Sequence, residues 1–491
     1  MSESISDSVF GAGSRSALIV PMKRGNAADA DPAEGGEAPC HGTALGPHEG
    51  ALEPDHVSTK QERIAALARA NPQMALTSLN HHLDYRWMLR AYELTRKDGA
   101  VGVDGQTAAA YAASLESNLR DLLERLKSGR YRAPPVRRQY IPKTDGGQRP
   151  LGIPTFEDKI AQRAIVMLLE PLYEQDFRLC SFGFRPGRSA HQALQYLRKQ
   201  VMDRAGYWVL DVDLRKYFDT IDHGHLRTLL ARRVVDGVVR KLIDKWLAAG
   251  VLESGQLSYA ATGTPQGGVI SPLLANVFLH YVLDEWFTEE VCPRLAGHAG
   301  LTRYADDFVI TCEHRRDAER LWAVLPKRME RFGLQVHEGK SRLVDFRPRP
   351  PERPEQPELP TSFQFLGFTH VWATSRRGRR VVVQRTATDR LARAVKALHD
   401  SCARMLHEPL LQQWQRLCRR LKGHYAYFGI SGNSRALKRL HNQAERTWHY
   451  WLSRRSRDRD LPWDRFRALL QRFPLPPPRI VHRYASPHAN P

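Results

Sequence analysis

Leu301-Thr-Arg-Tyr-Ala-Asp-Asp-Phe-Val-Ile-Thr311 is the stretch on which the reading of this chain turns. Leu301 on one side and Phe308, Val309 and Ile310 on the other are β-formers, with a tight turn at Ala305-Asp306 between them. A β-hairpin is therefore expected, with Asp306 and Asp307 at its tip. They are the only adjacent Asp pair in the sequence. Two anions held so close repel each other, and a hard divalent cation such as Mg²⁺, which takes one or two carboxylates plus substrate phosphate oxygens, is the usual remedy. An ordinary polar turn would read the same in isolation, since Asp is common in turns. The surrounding sequence has to decide.

Upstream, Tyr207-Trp-Val-Leu-Asp-Val-Asp-Leu214 is a short apolar strand ending in alternating acids, with Asp211 and Asp213 on the face opposite Leu210 and Val212. A carboxylate in that setting calls for a cation or an ion-pair partner. Gly263-Thr-Pro-Gln-Gly-Gly-Val-Ile-Ser-Pro272 follows, a loop whose glycines admit close backbone approach and whose Gln266 can contact a base pair or a nucleotide. It opens onto an apolar helix from Leu273 towards Leu283, and it lacks the Lys-Ser/Thr ending of a nucleoside-triphosphatase loop. Earlier still, residues 136–141 and 149–154 alternate as a hairpin around Asp145-Gly-Gly147 and carry Lys143 and Arg149. In Ser181-Phe-Gly-Phe-Arg-Pro-Gly-Arg-Ser189, Phe182 and Phe184 can stack on template bases while Arg185 and Arg188 hold phosphates. The same aromatics can instead anchor the loop on the core. Downstream, a helix over about 315–332 leads to Lys340 and a strand through Leu343 and Val344, and Phe363-Gln-Phe-Leu-Gly-Phe368 reads as one further strand.

Outside this α+β body, residues 1–57 are rich in Gly, Ala, Ser and Pro without apolar periodicity and read as a disordered leader. Thr59-x-x-Glu62 resembles a capping box opening a helical extension over 58–132, whose second helix carries Leu115, Leu119, Leu122 and Leu126 and stops at Gly129. The basic run Arg376, Arg377, Arg379, Arg380 marks the expected end of the body at 375. Three apolar stripes then predict a three-helix bundle over 376–460: Leu391 to Met405, Leu410 to Tyr425, and Leu437 to Trp451. Arg419, Arg420 and Lys422 lie on its outward side, as a solvated face or as an RNA-binding surface. Residues 461–491 read as an extended tail.

Lys and Arg number 74 against 53 Asp and Glu, a net charge of +21, which favours a polyanion partner, nucleic acid over a membrane surface. The six cysteines are scattered without a C-x-x-C pair, so they read as reduced core thiols, not as a zinc site or disulfide framework. No apolar run reaches membrane-spanning length and no signal peptide is evident; the cytoplasm, with no membrane partner, is the expected location.

The parts come in the order a polymerase needs: basic hairpin, acidic strand, Gly/Pro loop, Asp-Asp hairpin, Lys turn. Carboxylates from different strands would hold two cations around the reacting phosphate, where a primer 3′-hydroxyl is activated and the leaving pyrophosphate neutralised. Asp213 and Asp306 are the expected bridging ligands, Asp307 a partial or outer one, and the Leu214 carbonyl a further donor. Lys143 and Arg149 fit as clamps on a triphosphate. Lys340 is placed either to protonate pyrophosphate or to form a structural ion pair. Phe218, five residues after Asp213, would collide with a 2′-hydroxyl and so select deoxynucleotides.

Tyr304-Ala-Asp-Asp307, Asp213 with Phe218, Thr264-Pro-Gln-Gly-Gly268, Arg149-Pro-Leu-Gly-Ile-Pro154, the 181–189 loop and Phe365-Leu-Gly-Phe368 together resemble the ordered reverse-transcriptase blocks of bacterial group II intron-encoded proteins. Gly102-Val-Asp-Gly105 and Leu421-Lys-Gly-His-Tyr-Ala-Tyr-Phe-Gly429, the latter similar to the maturase or thumb segment, extend the resemblance over most of 58–480. It implies a right-hand polymerase, with fingers and an antiparallel palm over 133–375 and an all-α thumb/maturase domain over 376–460. It implies an RNA-directed DNA polymerase using two Mg²⁺ ions and dNTPs on an RNA template with a DNA primer. It also implies binding of the protein's own group II intron RNA, assistance in its splicing, and copying of it at a target DNA, so that a cytoplasmic bacterial protein would join the nucleoid when acting on DNA. Many such proteins end in a zinc-supported endonuclease domain, and nothing after Cys418 supplies its cysteines, so priming from a pre-existing end is expected. A domesticated or defence-associated reverse transcriptase, and a splicing cofactor that does not polymerise, are the alternatives; monomer and dimer both remain open.

Overall fold

The computed structural model describes residues 55–142, 147–253, 256–258, 267–348, 359–375, 377–455 and 461–484. Lys143, Gln266, Arg376 and the leader through residue 54 lie outside the described residues. Four helices come first: α1 (Asp55–Ala70), α2 (Tyr85–Leu94), α3 (Ala108–Ala112) and α4 (Leu115–Lys127). Leu119, Leu122 and Leu126 are buried as their spacing predicts, and Gly129 follows α4 at φ +76°, a conformation glycine adopts without a Cβ penalty. The expected start at Ser58 is corrected. Helix α1 already includes Asp55, the first described residue, so Thr59 and Glu62 lie inside it and do not cap it.

Strands β1 (Val136–Pro142) and β2 (Gln148–Ile153) form the expected basic hairpin, with Ile141 opposite Arg149. Next come α5 (Phe156–Asp176), capped by Thr155, and α6 (Ala190–Asp203), opened by a Ser189/Gln192 capping box. Then follow β3 (Trp208–Val212), α7 (Tyr217–Thr220), α8 (His223–Ala231) and α9 (Gly237–Leu247). The short strands β4 (Val251–Glu253) and β5 (Gln256–Ser258) extend the hairpin into a four-stranded sheet ordered β2-β1-β4-β5, with β1 and β4 parallel.

Helix α10 (Ser271–Leu279) is buried and apolar apart from Ser271 and Asn276, as a helix through the middle of a core tends to be, and it continues in wider π-helical turns to Val291. After it, β6 (Ala299–Tyr304), β7 (Asp307–Cys312), α11 (Arg315–Glu330) and β8 (Arg342–Asp345) complete a second sheet, ordered β6-β7-β3-β8 and antiparallel throughout. Val209, Leu210, Phe308, Val309 and Ile310 are fully buried in it, and α6 and α11 pack against it.

Two expectations fail in the next segment. Phe363–Phe368 is not one strand: β9 (Phe363–Phe365) turns at Leu366 and Gly367, both at positive φ (51° and 77°), into β10 (Phe368–Thr374). Nor does a domain end at 375, because the basic run lies at the bend between β10 and β11 (Arg380–Thr386), which pair over seven residues. The helical segment begins only at α12 (Thr388–Arg404), followed by α13 (Leu410–Phe428) and α14 (Ser434–Ser453). Their stripes meet in one core of Leu398, Cys402, Met405, Leu417, Leu421, Leu437, Leu440 and Trp448. A fourth helix, α15 (Trp463–Arg472), adds Phe466 to that core where only an extended tail was expected. No described helix is long and apolar enough to cross a membrane.

Candidate active site

Register places the carboxylates. β3 and β7 pair antiparallel with Val212 opposite Phe308, so Asp213, one residue beyond, arrives at the base of the β6–β7 turn, where Tyr304 pairs with Asp307. Asp211 sits two residues back on the same face, and Arg342 of β8 donates to it at 3.1 Å. The backbone of Asp213 is fixed from the other side. Its N–H donates to Ser341 Oγ at 3.0 Å and its carbonyl accepts from His337 N–H at 2.8 Å. The bridge between Leu214 and Val336 engages the Asp213 carbonyl and the Arg215 N–H, not the Leu214 carbonyl.

Electrostatics gives the spacing chemical meaning. Asp307 is pushed well above the usual carboxylate range, first by burial and then by the negative charges of Asp211, Asp306 and Asp213; a hydrogen bond from the Leu366 backbone pulls it partly back. Burial also raises Asp211, opposed by Arg342. Four carboxylates thus crowd one corner of the sheet. Among the described residues no three His, Cys, Asp or Glu side chains enclose an ion by themselves. That is compatible with Mg²⁺, which takes one or two carboxylates and completes its shell with water and substrate phosphate oxygens. Hard oxygen donors in mutual repulsion are the donor set such an ion fits.

The turn itself is strained. Ala305 stands at φ +58°, and Phe184, Lys216 and Leu366 are further non-glycine residues at positive φ. Each costs on the order of 1–3 kcal/mol and persists only where the surroundings over-determine it. Two of these adjoin the turn: Leu366 bonds Asp307, and Phe184 follows Gly183, where an added Cβ would lie 2.3 Å from Ala305 N; Lys216 precedes α7, and Ala205, also at positive φ, precedes β3. Helix α7 holds Phe218 half-buried, edge-on to Tyr217 at 5.3 Å, and Tyr217 donates to the Ala275 carbonyl at 2.6 Å. Lys340 reaches Asp213 at 3.6 Å, so in this state the ion-pair alternative describes it.

At the far side Gly267, at φ +115°, abuts β2: a Cβ there would lie 2.4 Å from the Gly152 carbonyl oxygen. The Gly/Pro loop and the basic hairpin therefore meet, as a joint nucleotide site requires. Lys143 and Gln266 themselves are outside the described residues, and Arg149 is placed by its backbone register alone.

In the 181–189 loop the template role is corrected for two residues. Phe182 is buried. Arg185 is 3 % exposed, with Nε and Nη2 donating to Glu174 at 2.9–3.2 Å and Nη1 to the carbonyls of Arg178 and Ser181. No donor is directed outward for a phosphate. Phe184 is exposed, and Arg188 lies half-buried over the Phe182 ring. Arg419 and Lys422 are exposed on α13 and Arg420 is half-buried. Sequence reasoning also missed Arg303, a fully buried cation paired with fully buried Asp284 directly before the Tyr-Ala-Asp-Asp turn. A charged residue at an inward strand position was the available signal.

The family model described as Reverse transcriptase (RNA-dependent DNA polymerase) matches residues 141–370. Protein YkfC of Escherichia coli (strain K12) is 36% identical over 286 residues, 52% of this chain and 75% of that one. Group II intron-encoded protein LtrA of Lactococcus lactis subsp. cremoris is 39% identical over 229 residues, 45% of this chain but 37% of LtrA, so the match spans little more than a third of that relative. A telomerase structure from Candida albicans aligns with a TM-score of 0.40 and 12% identity over 74% of this chain and 65% of that one. The chain belongs to the reverse transcriptase (RNA-dependent DNA polymerase) family.

Proposed function

We propose that this chain is an RNA-directed DNA polymerase that binds a group II intron RNA, assists its splicing and copies it into DNA at a target site. The observation that carries the polymerase reading is the arrival of Asp213 and Asp306, from segments far apart in sequence, at one corner of an antiparallel sheet, with Asp307 raised first by burial and then by the shared charge. Two Mg²⁺ ions, when bound, would supply the charge neutralisation that phosphoryl transfer requires. Asp213 and Asp306 would hold them, the Leu214 carbonyl adding a donor. Asp307, tied to the Leu366 backbone, stays an outer partner. Lys340 balances Asp213 until substrate arrives and is then within reach of the leaving group. Phe218 excludes a 2′-hydroxyl, Lys143, Arg149 and Gln266 line the nucleotide side, and Phe184 with Arg188 meets the template.

Helices α12 to α14 serve as the thumb, with Arg419, Arg420 and Lys422 directed to RNA. LtrA is described as intron-encoded, which supports intron RNA as the partner here. Purified protein with Mg²⁺, dNTPs and a DNA-primed RNA template should make cDNA; no product would sink the polymerase reading. Asp306→Ala should abolish extension while intron RNA binding and splicing assistance persist, and loss of both would show that the two roles are not separable.

A further inference from the structure

The strained turn that presents Asp306 is held from behind by groups that never face the reacting atoms. Arg303, completely buried, donates through Nε and Nη2 to Asp284 at 2.7 and 2.5 Å. Its Nη1 donates to Asn276 Oδ1 at 2.9 Å and to the carbonyl of Ala305 at 3.0 Å. That carbonyl belongs to the peptide joining Ala305, in the left-handed region, to Asp306. Asn276 turns its other end, Nδ2, to the carbonyl of Gly183 at 2.7 Å. Gly183 in turn leaves no room for a Cβ against Ala305 N. Backbone bonds close the circuit, Phe182 N–H to Arg303 O at 2.9 Å and Arg303 N–H to Cys180 O at 2.8 Å.

A buried ion pair is a poor way to gain stability, because apolar residues of the same volume serve as well or better. What the pair provides here is direction. The guanidinium fork fixes the plane of the 305–306 peptide, and Asn276 carries the same constraint across to the loop that ends in exposed Phe184. Helix α10 and its π-helical continuation thereby set two working parts at once, since Asn276 lies on the first and Asp284 on the second.

We propose that Asp284, Arg303 and Asn276 are positioning residues for nucleotidyl transfer, locking the Ala305-Asp306 peptide so that the Asp306 carboxylate is held for its cation and kept in register with the Phe184 loop. The inference rests on the polymerase reading, and wild-type extension is the control that separates the two. The informative variant is Asn276→Ala, which leaves the Arg303–Asp284 pair whole. Expected are a folded protein with a modestly lower melting temperature, since Arg303 Nη1 and the Gly183 carbonyl each lose a partner, a kcat for dNTP incorporation at least tenfold lower with KM for dNTP within about twofold, and a weakened site for Mn²⁺. The last is read without turnover, by electron paramagnetic resonance titration of the protein on a primed template ended in a dideoxynucleotide, where half-saturation should rise at least threefold. Gly183→Ala, which pushes on Ala305 from the other side, should give the same split and decides the matter if Asn276→Ala does not fold. Wild-type kcat and Mn²⁺ affinity in a folded variant of either kind would overturn the proposal; an inactive wild type would overturn the polymerase reading instead.

Discussion

Arg185 and Phe184 are neighbours in an aromatic and basic loop, and the structure buries the first and exposes the second. Replacing Arg185 with Ala would strip two carbonyls and the Glu174 carboxylate of their donors at a site 3 % exposed. Breaking a buried, fully engaged charge pair costs about 3–5 kcal/mol, because the partner is left desolvated and alone. In a unit of several hundred residues, where the entropy of unfolding is large, that corresponds to a melting point roughly 3–5 °C lower. Phe184→Ala removes an exposed ring from a residue at φ 56° and should not lower the melting point. It should weaken binding of a primed RNA template by about 5- to 150-fold per lost stack, equivalent to roughly 1–3 kcal/mol. Scanning calorimetry and fluorescence anisotropy on the two variants read these quantities separately. The opposite pattern, Arg185→Ala binding template poorly at an unchanged melting point while Phe184→Ala binds normally, would refute the assignment.

Glu170, half-buried on α5, is pushed by burial up to about 7 despite Arg163, so between pH 4.5 and about 7 the folded chain keeps a proton that the unfolded chain releases. Its contribution, about 3 kcal/mol, is therefore present in acid and lost as pH rises through that window; Glu170→Gln should melt like wild type near pH 4 and above it at pH 8, and equal melting points at pH 8 would contradict the burial argument. At the sugar position, Phe218→Ala should raise incorporation of ribonucleotides relative to deoxynucleotides by about 10- to 200-fold in single-turnover assays, with Tyr217 still anchored to Ala275. Unchanged selectivity would move the sugar gate elsewhere.

Much of the site was legible because its signals are local. Alternation along Tyr207–Leu214 put Asp211 and Asp213 on one face, and the run Phe308–Ile310 marked a strand leaving a turn, so the β3 and β6–β7 halves followed from period two alone. What was misread was decided from a distance. Phe363–Phe368 looked like one strand because nothing in six apolar-rich residues announces that Leu366 adopts a left-handed backbone. The Tyr427 hydroxyl on α13, 61 residues later, helps to hold it by donating to the Leu366 carbonyl at 2.9 Å. Arg376 to Arg380 looked like a domain boundary for the opposite reason: bends within a hairpin and boundaries between domains can both be charged, and only the pairing of β10 with β11 tells them apart.

The same Leu366 shows why the catalytic corner cannot be understood as a set of ligands. Its N–H bonds Asp307, its carbonyl accepts from Tyr427, and its neighbour Gly367 packs against Arg390 of α12, so the turn joins the carboxylate cluster to two C-terminal helices. Asp307 is therefore constrained twice: it must share charge with Asp211, Asp213 and Asp306, and it must accept from a turn whose position depends on α13. An Asp in a free hairpin turn would face neither demand and would relax away from its neighbours. Crowded carboxylates on a strained turn persist because Arg303 and Asn276 brace one side and Leu366 the other. The position of α12 and α13 and the position of the crowded carboxylates are then, physically, the same variable.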